Sequence, residues 1–272
     1  MSASLPLERP DWAIDPARAA DVAARFIAAT LESSGQDGLV VGLSGGIDSA
    51  VATGLAVRAV GRERVHAIRM PYRTSSRASL DDAAAVADAL GLEPGTRDIT
   101  AAVDAFLAEV PDADAVRRGN VMARVRMITL FDASQARRAL VLGTGNRTEW
   151  LLGYTTLHGD EACGLNPVAQ LYKTEIRLLA RYLELPRVVL EKAPSADLWE
   201  GQSDEDELGF TYADADRLLH HMVDEGLMPR QLEALGFAPD VIERVSARMR
   251  SQAFKRAAPP VCDLGRPDPD AA

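Results

Sequence analysis

The chain of 272 residues (29.2 kDa) carries 40 acidic against 30 basic side chains, giving a formal net charge of −10 and a pI near 5.0. That balance argues against general binding to nucleic acid or to an anionic membrane and leaves room only for a local basic pocket. Two cysteines, Cys163 and Cys262, offer neither a disulfide framework nor a metal-ligand spacing. No apolar run approaches the ~20 residues of a membrane span or forms a signal-peptide core, so a reducing cytoplasm is the expected setting.

In chain order, Arg18 to Leu31 has alanine-rich helical periodicity, and Ser33 to Gly38 reads as the turn after it. Leu39 to Leu43 is short, apolar and β-branched, the signal of a buried strand. It runs into Ser44-Gly45-Gly46-Ile47-Asp48-Ser49 and then an alanine-rich helix. A strand, a glycine turn and a helix start cradle an anion: Gly45 and Gly46 permit the tight turn, and backbone N–H groups point outward where the helix begins. Asp48 would repel a phosphate there unless a divalent cation lay between them, which points to magnesium as well as nucleotide. The spacing is not that of a Walker loop, which needs four residues between its glycines followed by Gly-Lys-Ser/Thr.

Val65 to Met70 reads as a second strand ending at Pro71, followed by a helix over Ser79 to Leu90 with Ser79 as its cap and acids in its first turn. Thr96 to Ile99 reads as a short third strand, Thr100 to Val110 and Asn120 to Ala136 as helices, and Ala139 to Gly143 as another buried strand. Strand alternates with helix over short connections. The expected fold is therefore α/β, an open, doubly wound, mostly parallel sheet with helices on both faces and ligands at the carboxyl ends of its strands. Helices dominate after Tyr172, a single domain is expected over residues 1–258, and the proline-rich tail 259–272 reads as extended and partly disordered.

The polar loop after Val141 should emerge beside the first glycine turn. There Thr144 could bond a nucleotide hydroxyl or phosphate. Glu149 is either a second magnesium ligand opposite Asp48 or a first-turn acid favoured by its helix dipole. Lys173, at a helix start, either meets ATP phosphates or is simply solvated. Nothing resembles a Ser-His-Asp arrangement.

Ser44 to Ser49 resembles the pyrophosphate loop of the ATP pyrophosphatase superfamily, the PP-loop proteins with an adenine nucleotide alpha-hydrolase-like fold, which cleave ATP between the α and β phosphates. From that loop to Pro260 the chain is similar to the NAD+ synthetase family. The likeness is carried by Arg69 to Ser76, Arg118 to Met127, Gly143 to Glu149, Leu171 to Thr174, Pro194 to Trp199, Gly201 to Gly209, and Lys255-Arg256 before Pro259-Pro260. The resemblance implies adenylation of the nicotinate carboxylate of deamido-NAD+ by Mg·ATP and attack by ammonia. It places ATP on Gly42, Leu43, Ser44, Gly45, Gly46, Ile47, Asp48 and Ser49, with Arg69, Met70 and Ser76 at adenine, and on Thr144, Lys173 and Ser195. It places Mg2+ on Asp48 and Glu149, deamido-NAD+ on Arg124 and Lys255, and Asp160 with Asp48 and Lys173 at the chemistry.

At Leu157 and Gly164 the chain departs from the lysine and aspartate usual in ammonia-dependent members, and Gly153 to Gly164 looks more like the synthetase domain of glutamine-dependent ones. About forty residues precede the glycine turn, too few for an amidase domain, so free ammonia is the expected donor; a separate glutaminase subunit is compatible but not implied. The family also implies a homodimer. The alternatives are another adenylating amidotransferase resembling GMP synthetase, which would share only the loop, and a nucleotide-binding module without turnover.

Overall fold

The computed structural model describes residues 9–193, 204, 207, 209–262 and 264. Its sheet has four parallel strands: β1 (Gly38–Gly42), β2 (Val65–Arg69), β3 (Gly95–Thr96) and β4 (Ala139–Val141), in the order β3-β2-β1-β4. The register sets Val40 beside His66 on one side and beside Val141 on the other. Strand order reverses between β1 and β4, and a crevice opens beyond the carboxyl ends of strands at such a switch.

Both faces of the sheet are covered, which is why β1 is apolar throughout rather than alternating. Leu39 and Val41 sink into the main core with α1 (Pro16–Ser34), α2 (Ile47–Val60), α3 (Arg77–Leu90) and α7 (Lys173–Tyr182). Val40 faces the other way, with Ile68 and Ala139, under Leu130 and Ala133 of α5 (Ala115–Arg137). α1 starts where Asp15 accepts from the Arg18 N–H and Pro16 occupies the first turn, and it stops at Gly35 in the left-handed region (φ +65°).

Beyond shifts of one to three residues at other element ends, three differences from the sequence reading have a local cause. The cap of α3 is Ser76, not Ser79: the Ser79 N–H donates to Ser76 Oγ at 3.0 Å, and the acids fall beyond the first turn. A turn closed by the Ser75 N–H on the Tyr72 carbonyl delivers Ser76 in an extended conformation, so the earlier of the competing serines takes the cap. β3 covers Gly95–Thr96 instead of Thr96 to Ile99, because Asp98 accepts from the Thr100 N–H at 2.7 Å and turns the chain into α4 (Thr100–Ala108). α5 begins at Ala115, capped by Asp114, ahead of the expected Asn120; its first turns, Ala115-Val116-Arg117-Arg118-Gly119, mix one large apolar residue with two arginines and a glycine and do not announce a helix.

After the sheet come α6 (Arg147–Leu152), α7, α8 (Arg187–Glu191), α9 (Tyr212–Leu219), a π-helical turn (His220–Asp224), α10 (Pro229–Ala234) and α11 (Pro239–Ser251). A second apolar cluster joins Leu152 of α6 and Tyr172 to Leu218, Leu232 and Val245 of these later helices. The carboxyl-terminal helices are thereby docked onto the end of α6 and the start of α7. Among the described residues no helix is long and apolar enough to cross a membrane.

Candidate active site

The glycine turn after β1 is fixed from within. Ser49 Oγ accepts from the Ser44 N–H (3.3 Å), lies 3.1 Å from Ser44 Oγ and donates to the Gly46 carbonyl (2.9 Å), while Thr53 Oγ1 donates to the Ser49 carbonyl at 2.6 Å. Gly45 has φ +81°, and a Cβ there would stand 2.2 Å from the Ser79 carbonyl oxygen of α3. The turn is wedged against α3 and opens α2, with Asp48 in the first turn of that helix.

From the neighbouring strand β4, the chain passes Thr144 and enters α6 through a capping box: Asn146 Oδ1 accepts from the Glu149 N–H (2.9 Å), and Glu149 Oε2 accepts from the Asn146 N–H (3.2 Å). Fully buried Asn146 also donates from Nδ2 to Asp48 Oδ1 at 2.8 Å. Lys173, 3 % exposed at the start of α7, places Nζ 2.5 Å from Asp48 Oδ2 and 3.2 Å from Glu149 Oε1. The Tyr212 ring covers the ammonium, with its centroid 5.1 Å from Nζ.

Burial, with the charge of Asp48 added to it, pushes the Glu149 carboxyl up to about 7 against the pull of Lys173. Burial works to lower the Lys173 pKa, but the charges of Asp48 and Glu149 outweigh it and hold the ammonium above its ordinary value. Two carboxylates thus converge on one cation position. Hard oxygen donors of this kind suit Mg2+, and the ammonium between them marks where such an ion fits. The trio lines a cavity of about 610 Å3 together with Ser44, Thr144 and Met70.

A sequence profile of the NAD synthase family matches residues 20–259 of the chain. The chain belongs to the NAD synthase family. It is similar to an NH3-dependent NAD+ synthetase of Chlorobaculum parvum, 44 % identical over 263 residues, covering 97 % of this chain and 95 % of that protein. Among solved structures it is similar to an NMN synthetase from Francisella tularensis (TM-score 0.83, 32 % identity, 92 % of this chain and 100 % of that one). It is also similar to an NH3-dependent NAD synthetase from Campylobacter jejuni (TM-score 0.80, 34 % identity, 92 % and 100 %). The parallel sheet expected from the sequence is the fold of this family.

The residues singled out from the sequence are distributed unevenly. Gly42, Leu43, Ser44, Gly46, Ile47, Asp48 and Ser49 line the cavity with Arg69, Asp160 and Lys255, and Gly45 holds the turn from behind. Arg69 donates to Thr96 Oγ1 at 3.0 Å while its Nε is buried without a partner, and Asp160 accepts from the Thr156 N–H at 2.8 Å. Lys255 Nζ donates to the carbonyls of Gly153 (2.8 Å) and Thr155 (2.6 Å), so it fastens the loop after α6. Ser76 serves as the α3 cap and lies behind the cavity wall formed by Ser75 and Ser79. Exposed Arg124 donates to the carbonyl of Leu157, one of the two departing positions, away from the cavity lining. Ser195 lies outside the described residues.

Four positions escaped the sequence reading: Asn146, Thr148, Tyr212 and Asp216. Fully buried Asp216 of α9 accepts from the Thr148 hydroxyl of α6 (2.5 Å) and from the Thr174 N–H of α7 (2.7 Å), and Thr148 Oγ1 accepts from the Lys173 N–H (3.0 Å). One carboxylate therefore ties together the two helix starts that carry Glu149 and Lys173. The capping-box spacing Asn146-Arg147-Thr148-Glu149 was a local signal for the first of these residues; nothing local marks Asp216.

Burial raises the Asp216 carboxyl from its ordinary 3.8 to about 6 despite the Thr148 and Thr174 hydrogen bonds. Protonated Asp216 favours the fold below pH ~4, and that contribution, roughly 3 kcal/mol, is lost as pH rises to ~6. Asp216→Asn does not titrate. Its melting temperature relative to the parent protein is expected to climb across that window and level off above it. Thermal denaturation at a series of pH values checks this, and a difference that stays flat would refute it.

Proposed function

We propose that this chain converts deamido-NAD+ to NAD+ with ATP and ammonia, releasing AMP and pyrophosphate. The observation that carries this reading is the meeting of Asp48, Glu149 and Lys173 at distances of 2.5 and 3.2 Å beside a helix-start phosphate turn. A nicotinate carboxylate is a poor electrophile. Its oxygen attacks the α-phosphorus of ATP, the bond to the β-phosphate breaks, and pyrophosphate leaves onto Ser44 to Ser49. Ammonia then attacks the carbonyl carbon of the mixed anhydride, a proton is lost, and AMP departs with the carboxyl oxygen.

Asp48 and Glu149 would hold Mg2+, which neutralises phosphate charge when bound. Lys173 stabilises the charge building on pyrophosphate, an interaction that strengthens toward the transition state. Thr144 and Ser195 are assigned to ATP, Arg69, Met70 and Ser76 to the adenine end, Arg124 and Lys255 to deamido-NAD+, and Asp160 to the neighbourhood of the reacting carboxylate. No side chain need act as a strong base, since positioning and charge lower the barrier.

Residues 1–258 act as one domain in the cytoplasm, without nucleic acid or membrane. A homodimer is supported by large apolar side chains exposed on α5, with Val116 63 %, Ile128 60 % and Phe131 41 % exposed.

The test is mass-spectrometric detection of NAD+ and AMP from purified protein with Mg·ATP, deamido-NAD+ and either ammonium or glutamine. Product with ammonium alone is expected. The likeness to an NMN synthetase makes deamido-NMN the informative second substrate, and a larger kcat/KM for it than for deamido-NAD+ would overturn the assigned substrate.

A further inference from the structure

We propose that His220, His221 and Glu225 form a second metal site, for a borderline divalent ion of the zinc class, distinct from the carboxylates at the phosphate turn. Their ligand atoms lie within 4.8 Å of one another. His220 Nε2 stands 3.4 Å from Glu225 Oε1, and His221 Nδ1 stands 2.7 Å from Glu225 Oε2. Around a tetrahedral ion with bonds of about 2.0–2.1 Å, neighbouring donor atoms are about 3.3–3.4 Å apart. The first pair already has that spacing, and the second, closer pair is a direct contact that an ion would have to part.

The backbone builds this convergence. In the π-helical turn the Glu225 N–H donates to the His220 carbonyl at 3.1 Å, and this widened turn brings residues 220 and 225 onto one face. Trp12 stacks on the His220 ring (centroids 5.2 Å apart, planes 21° apart), and Phe237 meets the edge of His221 at 6.0 Å.

The second observation is the carboxylate on the far side of His220. Its Nδ1 lies 3.3 Å from Asp224 Oδ2, so the imidazole faces an acid at each nitrogen. A neutral imidazole has one N–H and can satisfy only one of them; the other contact needs either a second proton or a metal ion. With Nδ1–H held by Asp224, Nε2 is the metal-facing nitrogen, the carboxylate–histidine–metal order of many zinc sites. Asp224 is in turn held by Arg147 and by the Tyr172 hydroxyl, at 3.0 Å from the latter. Two nitrogens and one carboxylate leave a coordination position for water, and the donor set selects zinc-class ions over Mg2+.

The full chain, with Mg2+ and ATP present in excess to occupy the phosphate turn, is titrated with Co2+ and followed by visible absorption. One equivalent giving intense nitrogen-ligated bands, chased by Zn2+, is expected. His221→Ala and Glu225→Gln should each weaken binding by at least ~10-fold, and Asp224→Asn by about 10–100-fold. Bands that survive both His221→Ala and Glu225→Gln, or no bands at all, overturn the proposal. So does NMR showing that both His220 nitrogens stay protonated at neutral pH in the presence of Zn2+, since the contacts would then be ion pairs.

Discussion

Lys173→Met is expected to cut kcat for NAD+ formation by about 10²–10³, the usual loss when one fixed donor to transition-state charge is removed. It should also tighten metal binding in the absence of ATP. These effects run in opposite directions because Nζ sits 2.5 Å from Asp48 and 3.2 Å from Glu149, where a divalent cation would bind. Until the ion arrives, the ammonium keeps two converging carboxylates from repelling each other. Asp48 and Glu149 would hold a divalent ion in its place, and the displaced ammonium would be free to meet the phosphates.

Deleting the ammonium removes the competitor and leaves the acids facing each other with more need of a cation. Titration with Mn2+ followed by electron paramagnetic resonance measures the first effect, over a series of pH values because loss of the Lys173 charge pushes the Glu149 carboxyl further up; steady-state kinetics measures the second. Metal affinity that falls together with kcat would show that Lys173 supports the ion rather than holding its place.

Gly45→Ala should be nearly as damaging by a different route. At φ +81° the added methyl group meets the Ser79 carbonyl oxygen at 2.2 Å and the Ala83 nitrogen at 3.1 Å, and both are backbone atoms that cannot swing aside. The turn must lift off α3. The left-handed conformation costs about 1–2 kcal/mol for an alanine before that clash is counted. Displacement of the phosphate turn by about 1 Å is enough to lose ~100-fold in turnover. Gly46→Ala is the control for stability, since its Cβ would meet only the Ser44 hydroxyl, at 3.3 Å. Melting curves with and without ATP, and kcat/KM for ATP, should separate the two; equal melting temperatures would refute the argument.

Local chemistry explains what the sequence made legible. The phosphate turn announced itself because its strand, its glycines and its acid are contiguous, and each constrains the others. Glu149 and Lys173 were readable as candidates because each opens a helix. The alternative reading of Glu149 was right as well: it is a first-turn acid in a capping box and also part of the charged trio. Lys173 is buried, against the solvated alternative.

Asp216 and Tyr212 were invisible for the opposite reason. They sit on a helix whose sequence explains itself as an amphipathic surface element, and only docking of the carboxyl-terminal cluster brings them to the site. Ser79 was read as the cap and Ser76 only as an adenine contact because serines at 75, 76 and 79 all have capping chemistry, and the turn before them decides among them. Arg124 matched by position, and its guanidinium donates to the carbonyl of Leu157, itself a position where the chain departs from the lysine usual in ammonia-dependent members.

The knot at Asp216 also orders events during synthesis. A ribosome delivers the phosphate turn, then α6, then α7, and only later the helix that carries this carboxylate. Until α9 emerges and docks, neither the Thr148 hydroxyl nor the Thr174 N–H has its acceptor, and the two helix starts are not clamped at their working separation. A nascent chain therefore carries its complete phosphate turn before the clamp between the starts of α6 and α7 has formed.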